Sequence, residues 1–497
     1  MINKRNGFPP QIKLRCTHKY VYFRRMIETV NPSYFFPNYV GFLGDLRLER
    51  RAKELWNKLC NHPSSSIRQL ASTKAEQKGY YRFLNNETVK EEELVKESSH
   101  RMSSLAKGRN LLCIQDTCEV NLGKHKGRLK KDSGLGRSDK SDTAHCFKLH
   151  PGLVLDVAGL NPLGFSHIKV FHRPEEMPDR IERAYKTQPI EEKESYKWIE
   201  VAQKSKEVLK DAETVTFIED REGDIYEQFV MIPDEKHHLL IRSRTTRNLS
   251  NGKKLYKEVD SQPIAGTYTI DLPTDSRKNQ YKREAEITVR FKKCEIKCPN
   301  NLKKKGYPES IELTCISVKE IGKVSKPINW KLLTTHKIES YQDALVIIEW
   351  YNARWYIEQL FRILKKQGFG IEETELESGW AIRKLVIMQM TALLKILQMN
   401  IAYADPEEGQ PIEDVFDTEQ IETLTLMNTK LQGKTIKLQN HHNPKRTKWA
   451  AWIIGRIGGW KGYDSQGPPG VIALKKGLDR LSYIIEGTKL IKDVGTP

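Results

Sequence analysis

Residues 351–368 read YNARWYIEQLFRILKKQG, and this stretch carries the most informative pattern in the chain. Its spacing predicts one helix, with an apolar side formed by Ile357, Leu360, Phe361 and Leu364. At roughly 100° per residue, four polar residues fall within an arc of about 60° beside that side. They are Tyr351, Arg354, Glu358 and Lys365. A mixed polar stripe of this kind indicates a functional surface, although on spacing alone an exposed face with an ordinary Arg354–Glu358 ion pair is the simpler interpretation.

Two aspartates upstream end apolar runs. Asp116 follows LLCIQ, and Asp220 follows VTFIE and opens the turn DREGD. Ligands in open α/β sheets bind at the carboxyl ends of strands, so both positions suit an active site. Aspartates there also serve as turn or cap residues. Three nearby acids compete with Asp220 as candidate ligands: Glu219, Glu222 and Asp224.

Two strand-end aspartates and a helix glutamate supply what Mg²⁺ chemistry on phosphodiesters needs. Hard oxygen ligands hold two Mg²⁺ ions about 3.5–4 Å apart, one beside the attacking oxygen and one beside the leaving oxygen. Arg354 and Lys365, on the same stripe as Glu358, are suited to holding substrate phosphates.

The rest of the chain predicts an α/β protein. Short strand patterns lie at 110–117, 152–159, 166–173, 214–220 and 237–244, with a helix at 191–210 before the fourth. A β-rich insertion covers about 250–335, and two long helices run from about Ser340 to Lys366 and from Gly379 to about Ala404. Before these, 45–60 and 64–87 read as basic-surfaced helices. The predicted order is an N-terminal extension (1–40), a helical domain (41–100), an α/β domain (101–404) and a mainly helical C-terminal region (405–497).

Composition narrows the class of protein. With 83 Lys+Arg against 64 Asp+Glu, the net charge is +19, which favours a polyanionic partner or a basic soluble enzyme about equally. No window approaches the ~18 uninterrupted apolar residues of a membrane span, and the N-terminus does not read as a secretory signal. Eight cysteines in 497 residues are too few for a disulfide scaffold, and Cys294-x-x-x-Cys298 lacks a partner pair at zinc spacing.

The order of these residues resembles the DDE transposases with the Y-R-E-K motif, of the insertion-sequence-four family (Tn-five type). The resemblance rests on Asp116, Asp220-Arg-Glu-Gly-Asp and the Tyr351, Arg354, Glu358, Lys365 series. Residues 44–56 and 76–87 resemble that family's DNA-binding module, and 191–198 and 327–335 resemble segments of its catalytic domain. Residues 1–40 fall outside it, and the tail after about 405 matches loosely.

The resemblance implies an RNase H-like core interrupted by a β-rich insertion. It assigns Asp116, Asp220 and Glu358 to metal binding, and Tyr351, Arg354 and Lys365 to phosphates near the cleaved end. Trp330 matches an aromatic that stacks on a flipped base, with a packed strand-end tryptophan as the alternative. A basic stretch that holds end DNA matches Arg242, Arg244 and Arg247, with a solvated loop as the alternative. The basic loop 123–140 follows Asp116 and suits a DNA backbone contact or a disordered loop equally.

The expected activity is that of a bacterial transposase. It would bind terminal inverted repeats, pair two ends in a homodimer, cut with Mg²⁺ (or Mn²⁺ as a substitute) through a hairpin, and join 3′-ends to target DNA. The expected compartment is the cytoplasm, at the nucleoid, with no membrane partner. Two alternatives stay open: a catalytically silent, transposon-derived repressor or inhibitor, and an RNase H-like nuclease without strand transfer.

Overall fold

The structure is a computed structural model that describes residues 32–494, apart from 126, 131–133, 139–144, 175–187, 273–281, 323, 325–326, 404 and 464–465. Residues 1–31 of the predicted extension and parts of the basic loop 123–140 therefore lie outside the described residues. The described part contains thirteen α-helices and one sheet of eleven strands.

The N-terminal part is helical, as the sequence predicts, because side-chain caps begin short amphipathic runs. The Asp45 side chain accepts the Arg47 N–H at the start of the first helix. The Thr73 hydroxyl accepts the Glu76 N–H before the third, which satisfies a helix N–H that has no partner inside the helix. The helices are α1 (Leu46–Asn61), α2 (Ile67–Leu70), α3 (Lys74–Asn85) and α4 (Glu91–Ala106).

The five strands predicted between 110 and 244 are confirmed: β1 (Asn110–Gln115), β4 (His145–Asp156), β5 (Pro162–Phe171), β6 (Thr214–Glu219) and β7 (His237–Arg242). Two short strands were not predicted: β2 (Cys118–Asn121) and β3 (Gly136–Arg137). The predicted helix at 191–210 is α5 (Tyr196–Val208), and two short helices follow: α6 (Tyr226–Met231) and α7 (Leu255–Asp260). The sheet is mixed, because β1 pairs in parallel with β6 and β6 with β7, whereas β4 runs antiparallel to β1 and β5.

The β-rich stretch continues this sheet rather than forming a separate one. Its strands are β8 (Gly266–Leu272), β9 (Arg283–Lys297), β10 (Ser310–Glu320) and β11 (Asn329–Thr334). β11 pairs antiparallel with β7, and the strand order is β2-β4-β1-β6-β7-β11-β10-β9-β8. The insertion is therefore joined to the core through β7 and β11.

Strand alternation divides the core between the two faces of the sheet. Leu112 and Ile114 of β1 and Ile218 of β6 belong to one apolar cluster, while Cys113 and Phe217 belong to the other. Because side chains alternate with a period of two, Asp116 and Asp220 project toward the face of Ile114 and Ile218. The helices that carry Arg354 and Glu358 pack on that same face.

The helix predicted from Ser340 to Lys366 is not continuous. The structure has α8 (Tyr341–Ala353), α9 (Trp355–Arg362) and then a π-helical turn over Ile363–Gln367. Around the break, the Arg354 N–H donates to the Tyr351 carbonyl, and the Arg354 carbonyl accepts the Ile357 N–H. These three-residue bonds tighten the chain, and the π turn then widens it, so the angular offset predicted for Lys365 does not hold.

Helix α10 (Gly379–Ala402) is the central helix and packs against α1, α3, α4, α9, α12 and α13. Among the described residues it is the one helix long and apolar enough to cross a membrane, but 94% of its apolar window is buried inside the protein, as in a core helix. The remaining helices are α11 (Thr418–Leu431), α12 (Thr447–Ile457) and α13 (Val471–Val494).

Candidate active site

Asp116 and Asp220 leave the same edge of the sheet from neighbouring strands. β1 ends at Gln115 and β6 ends at Glu219, and the two strands pair in parallel with Ile114 opposite Ile218. Each aspartate therefore follows the last residue of its strand at the same level. The negative charge of Asp220 is among the causes that raise the pKa of Asp116, so the two carboxyl groups interact electrostatically.

Burial dominates the electrostatics of Asp116. It raises the pKa of this carboxyl, Arg354 opposes the rise, and the charges of Asp220 and Glu358 add to it, giving a pKa of about 7. One further contact orients the group, because the Thr117 N–H donates to Asp116 Oδ1 at 2.7 Å. The site therefore concentrates negative charge where water screens it poorly.

Arg354 joins Asp116 to Glu358. Its Nη1 lies 3.1 Å from Asp116 Oδ2, and its Nη2 donates to Glu358 Oε1. The side chain of Arg354 is 18% exposed, that of Asp116 is 21% exposed and that of Glu358 is 35% exposed. The cluster therefore faces a partly open surface. Glu358 is thus linked to Asp116 through a shared guanidinium, and the ion pair expected within the helix is one half of this bridge.

The three acids that competed with Asp220 in the sequence have other partners. Glu219 is buried and accepts from Gln228 Nε2, while Glu222 is 67% exposed and lies 3.6 Å from Lys197. Asp224 is held by the next loop: it accepts the Arg244 N–H at 2.8 Å and pairs with Arg247. Among these four acids, the structure brings Asp220 to Asp116.

Trp330, Tyr351 and Arg242 form an aromatic and cationic cluster next to the carboxylates. The Trp330 and Tyr351 rings lie 5.5 Å apart edge to face, and the Arg242 guanidinium lies 5.8 Å from the centre of the Trp330 ring. Burial raises the pKa of Tyr351 most, Arg354 and Arg242 oppose the rise, and Asp220 adds to it. Because residues of both groups act on its hydroxyl, Tyr351 lies between Trp330 and Arg242 on one side and the carboxylates on the other.

Lys365 pairs with Glu372 rather than with the two carboxylates that Arg354 joins. Its Nζ donates to the Glu119 carbonyl oxygen at 2.6 Å and pairs with Glu372 at 2.9 Å, next to β2. The π turn accounts for this position, because it rotates Lys365 away from the line expected for a straight α-helix. Arg244 is exposed, whereas Arg247 is anchored by Asp224.

The donor chemistry of the carboxylates fits a hard divalent cation. Burial of Asp116, together with the charges of Asp220 and Glu358, raises the pKa of this carboxyl, so a positive charge is favourable there. Arg354 supplies that charge in this structure. Within the described ranges, no group of three or more His, Cys, Asp or Glu side chains is arranged to hold a metal ion, which agrees with the position of Arg354 on two of the three acids.

Comparison with known families matches two separate stretches of the chain. A family model described as transposase DNA-binding matches residues 42–89, and one described as transposase DDE domain matches residues 179–395. The second match includes Asp220, Arg354 and Glu358. The chain carries the DNA-binding and DDE domains of a transposase. It is also similar to a solved piggyBac transposase synaptic complex with hairpin DNA, at 9% identity, covering 72% of this chain and 71% of that chain with a TM-score of 0.31.

The DNA-binding region of the transposase presents a cationic face on α3. Lys74, Lys78 and Arg82 follow one another at one-turn spacing and are exposed, while Tyr80 and Phe83 on the other side are buried. Within the described part of the chain, these three cations have no ion pair. They are free to meet phosphates.

The basic loop of the transposase is fastened to the segment that follows the π turn. His125 Nε2 lies 2.8 Å from the Glu372 carbonyl oxygen, and the Lys130 N–H donates to the Glu377 carbonyl at 2.9 Å. The Lys124 side chain is 78% exposed. The described part of the loop is thus ordered near Lys365, while residues 126, 131–133, 139 and 140 lie outside the description.

Sequence reasoning missed His150, which lies beneath Asp116. It sits in β4, fully buried, between Gln115 and Thr117 on the neighbouring strand. The available signal was a lone histidine at the head of the apolar run PGLVLD (151–156). Such a residue inside a strand needs hydrogen-bond partners, which only the pairing of β1 with β4 reveals.

Proposed function

We propose that this transposase is the cut-and-paste enzyme of a bacterial insertion sequence, of the insertion-sequence-four, Tn-five type, with an RNase H-like core. The strand order β5-β4-β1-β6-β7, with β4 antiparallel and β6 and β7 parallel to β1, supports that core. The Y-R-E-K series on α8, α9 and the π turn supports the narrower family.

Asp116, Asp220 and Glu358 are the residues that would hold the ions. When bound, two Mg²⁺ ions, or Mn²⁺ as a substitute, would activate the attacking oxygen and stabilise the leaving oxygen. In the free protein, Arg354 forms ion pairs with Asp116 and Glu358. In the substrate complex, its guanidinium would bind a DNA phosphate instead. Tyr351 and Lys365 would contact phosphates on either side of it.

The reaction is a series of in-line displacements at phosphorus. In the first, a water oxygen forms a bond to phosphorus as the bond to the departing 3′-oxygen breaks, which frees a 3′-hydroxyl. That hydroxyl then attacks a phosphorus of the opposite strand, which expels the 3′-oxygen of the flanking DNA and closes a hairpin. A second water attacks the same phosphorus and breaks the new bond, which frees the 3′-hydroxyl again. The 3′-ends finally attack target DNA. Trp330, with Tyr351 and Arg242 around it, would stack on the base displaced when the hairpin bends.

The partners of the proposed reaction are double-stranded DNA at the transposon ends and in the target. Arg242, Arg244 and Arg247 would hold end DNA, and the exposed cations of α3 would bind the terminal repeats. Two transposase chains would pair two ends as a homodimer, with the C-terminal region (405–497) as the place for that contact. The proposed compartment is the bacterial cytoplasm, at the nucleoid.

One observation carries this proposal: Asp116 and Glu358, distant in sequence, meet on the Arg354 guanidinium, and Asp220 at the end of the neighbouring strand is close enough for its charge to raise the pKa of Asp116. The test is an in vitro assay of the full-length protein on DNA from the flanks of its own gene, with and without Mg²⁺. We expect nicked and hairpin products that depend on Mg²⁺, followed by joining to a plasmid. End binding without any Mg²⁺-dependent nicking would favour a silent repressor, and cut ends that never join would favour a simple nuclease.

A further inference from the structure

His150 occupies a fixed position on the opposite side of β1 from the carboxylate cluster. Its Nδ1 lies 2.8 Å from Thr117 Oγ1, and its Nε2 lies 3.0 Å from Gln115 Oε1. These two partners flank Asp116 in sequence. The ring is fully buried, and the Trp198 ring meets it edge to face with centroids 4.6 Å apart. His150 therefore cannot touch DNA, but it grips the residues on both sides of Asp116.

A neutral ring satisfies both contacts, because one ring nitrogen donates while the other accepts. Burial, with smaller effects from Lys197 and Lys169, keeps the pKa of His150 well below its ordinary value, so the ring is neutral and offers one donor and one acceptor.

Thr117 passes this constraint to the carboxylate. Its side chain is held by His150, and its backbone N–H donates to Asp116 Oδ1 at 2.7 Å. The other oxygen, Oδ2, faces Arg354 at 3.1 Å. The hydroxyl contact ties the Thr117 residue to β4, and a shift of the backbone at Thr117 would move its N–H away from Asp116, so the contact to His150 acts on Asp116 by holding this stretch of backbone in place.

We propose that His150 is a positioning residue which, through Thr117, holds the Asp116 carboxylate in the orientation that binds a divalent cation. This role rests on the proposed function, because it requires Asp116 to be a metal ligand. It is an outer partner of the kind that orients metal ligands, whose loss weakens metal binding about 10- to 100-fold. A merely structural histidine would instead stabilise the fold and leave metal affinity unchanged.

The test measures Mn²⁺ binding by calorimetry on the full-length protein, together with its melting temperature. His150→Phe keeps the ring and loses both hydrogen bonds, and we expect about tenfold weaker Mn²⁺ binding. His150→Asn keeps an acceptor near the Nδ1 position and should retain most of the affinity, whereas His150→Gln reaches only the Nε2 position and should lose it. His167→Phe is the matched control, because the His167 side chain, on the adjacent β5, makes no hydrogen bond among the described residues.

Thr117→Val provides a second route should the histidine variants fold poorly, since it removes the hydroxyl and keeps the backbone N–H. It should weaken Mn²⁺ binding as His150→Phe does, and the double variant should be no worse than either single one. Unchanged Mn²⁺ affinity in Thr117→Val and His150→Phe, with only a lower melting temperature, would overturn the role of His150. A wild-type protein that binds no Mn²⁺ would remove this role and the proposed function together, which is a different result.

Discussion

Arg354 Nη1 lies 3.1 Å from Asp116 Oδ2, although 238 residues separate the two in sequence. The contact ties the break between α8 and α9 to the end of β1. Since Arg354 also pairs with Glu358, it is the positive charge of the carboxylate cluster in the free protein. A substrate phosphate would therefore compete with the carboxylates for Arg354, and a metal ion would compete with Arg354 for the carboxylates.

Replacing Arg354 should move the pH dependence of cleavage. Burial raises the pKa of Asp116 to about 7 while Arg354 holds it down, so at limiting Mg²⁺ the wild-type rate should rise with pH through about 7 as the carboxylate ionises. In Arg354→Gln the rise should shift upward by about one to three pH units, the usual effect of losing an opposite charge. Rates should be measured at limiting Mg²⁺ from about pH 5 to about pH 10, which covers the wild-type pKa of about 7 and the expected upward shift of about one to three units.

Arg362→Gln is the control for that measurement, because Arg362 lies on the same helix over the Trp355 ring, 5.9 Å from its centre. Its profile should match the wild type. Superimposable profiles for Arg354→Gln and the wild type would contradict a direct influence of Arg354 on Asp116.

Asp116→Asn should abolish cleavage and leave end binding intact, because it removes a carboxylate without removing the cations that meet DNA. The same variant should change the pH dependence of stability. The folded pKa of Asp116 is raised above its ordinary value of 3.8, so its ionisation costs stability as pH rises through about 7. Without divalent ions, the melting temperature of the wild type should therefore fall relative to Asp116→Asn between acidic and mildly basic pH.

Asp271→Asn, at an exposed position of β8, is the matched control and should cut normally. Loss of DNA binding in Asp116→Asn, measured by gel shift, would instead assign Asp116 a structural role.

Trp330→Ala should impair hairpin formation while first-strand nicking continues. Stacking of a base on an aromatic ring contributes roughly 1–3 kcal/mol, so the hairpin yield should fall by about tenfold or more. Trp330→Phe should recover part of it. Trp380→Ala, at a tryptophan that is 43% exposed at the start of α10, is the control. A normal hairpin yield from Trp330→Ala would leave Trp330 as a packing residue.

Removing the three cations of α3 should lower the affinity for the transposon ends and make that affinity less dependent on salt concentration. Each phosphate contact contributes about one unit to the slope of log K against log salt, so changing Lys74, Lys78 and Arg82 to Ala should reduce the slope by about three. The wild-type affinity should fall steeply between ~50 and ~200 mM salt. Changing the exposed Lys430, Lys434 and Lys437 is the control. An unchanged slope in the α3 variant would show that this face does not meet DNA.

The sequence predicted the carboxylate cluster better than the helix that completes it. Asp116 and Asp220 could be placed together because each ends an apolar run, and parallel strands bring their carboxyl ends to one edge. The prediction of one straight helix through Arg354 and Lys365 is wrong, because the helix breaks at Arg354 and Lys365 lies in a π turn. No Gly or Pro lies at the break at Arg354 or within the π turn around Lys365, and Gly368 only follows that turn, so local rules gave no warning of either irregularity.

The choice of a candidate ligand among four neighbouring acids also depended on the tertiary structure. Glu219, Asp220, Glu222 and Asp224 look alike as ligands in sequence. Their partners decide among them, because Glu219 meets Gln228 beneath the sheet and Asp224 is taken by the Arg247 loop. His150 was missed for the same reason, since its partners come from another strand.

By itself, the sequence determined the strands of the core, the helical N-terminal part and the residue types of a phosphodiester-cutting centre. These follow from period and composition, which act between neighbours along the chain. Only the tertiary structure decided that Arg354 bridges Asp116 and Glu358, that Lys365 contacts Glu119, and that His150 underlies Asp116. Each of those contacts depends on the packing of segments far apart in sequence, where distance and burial, rather than spacing, set the interaction energies.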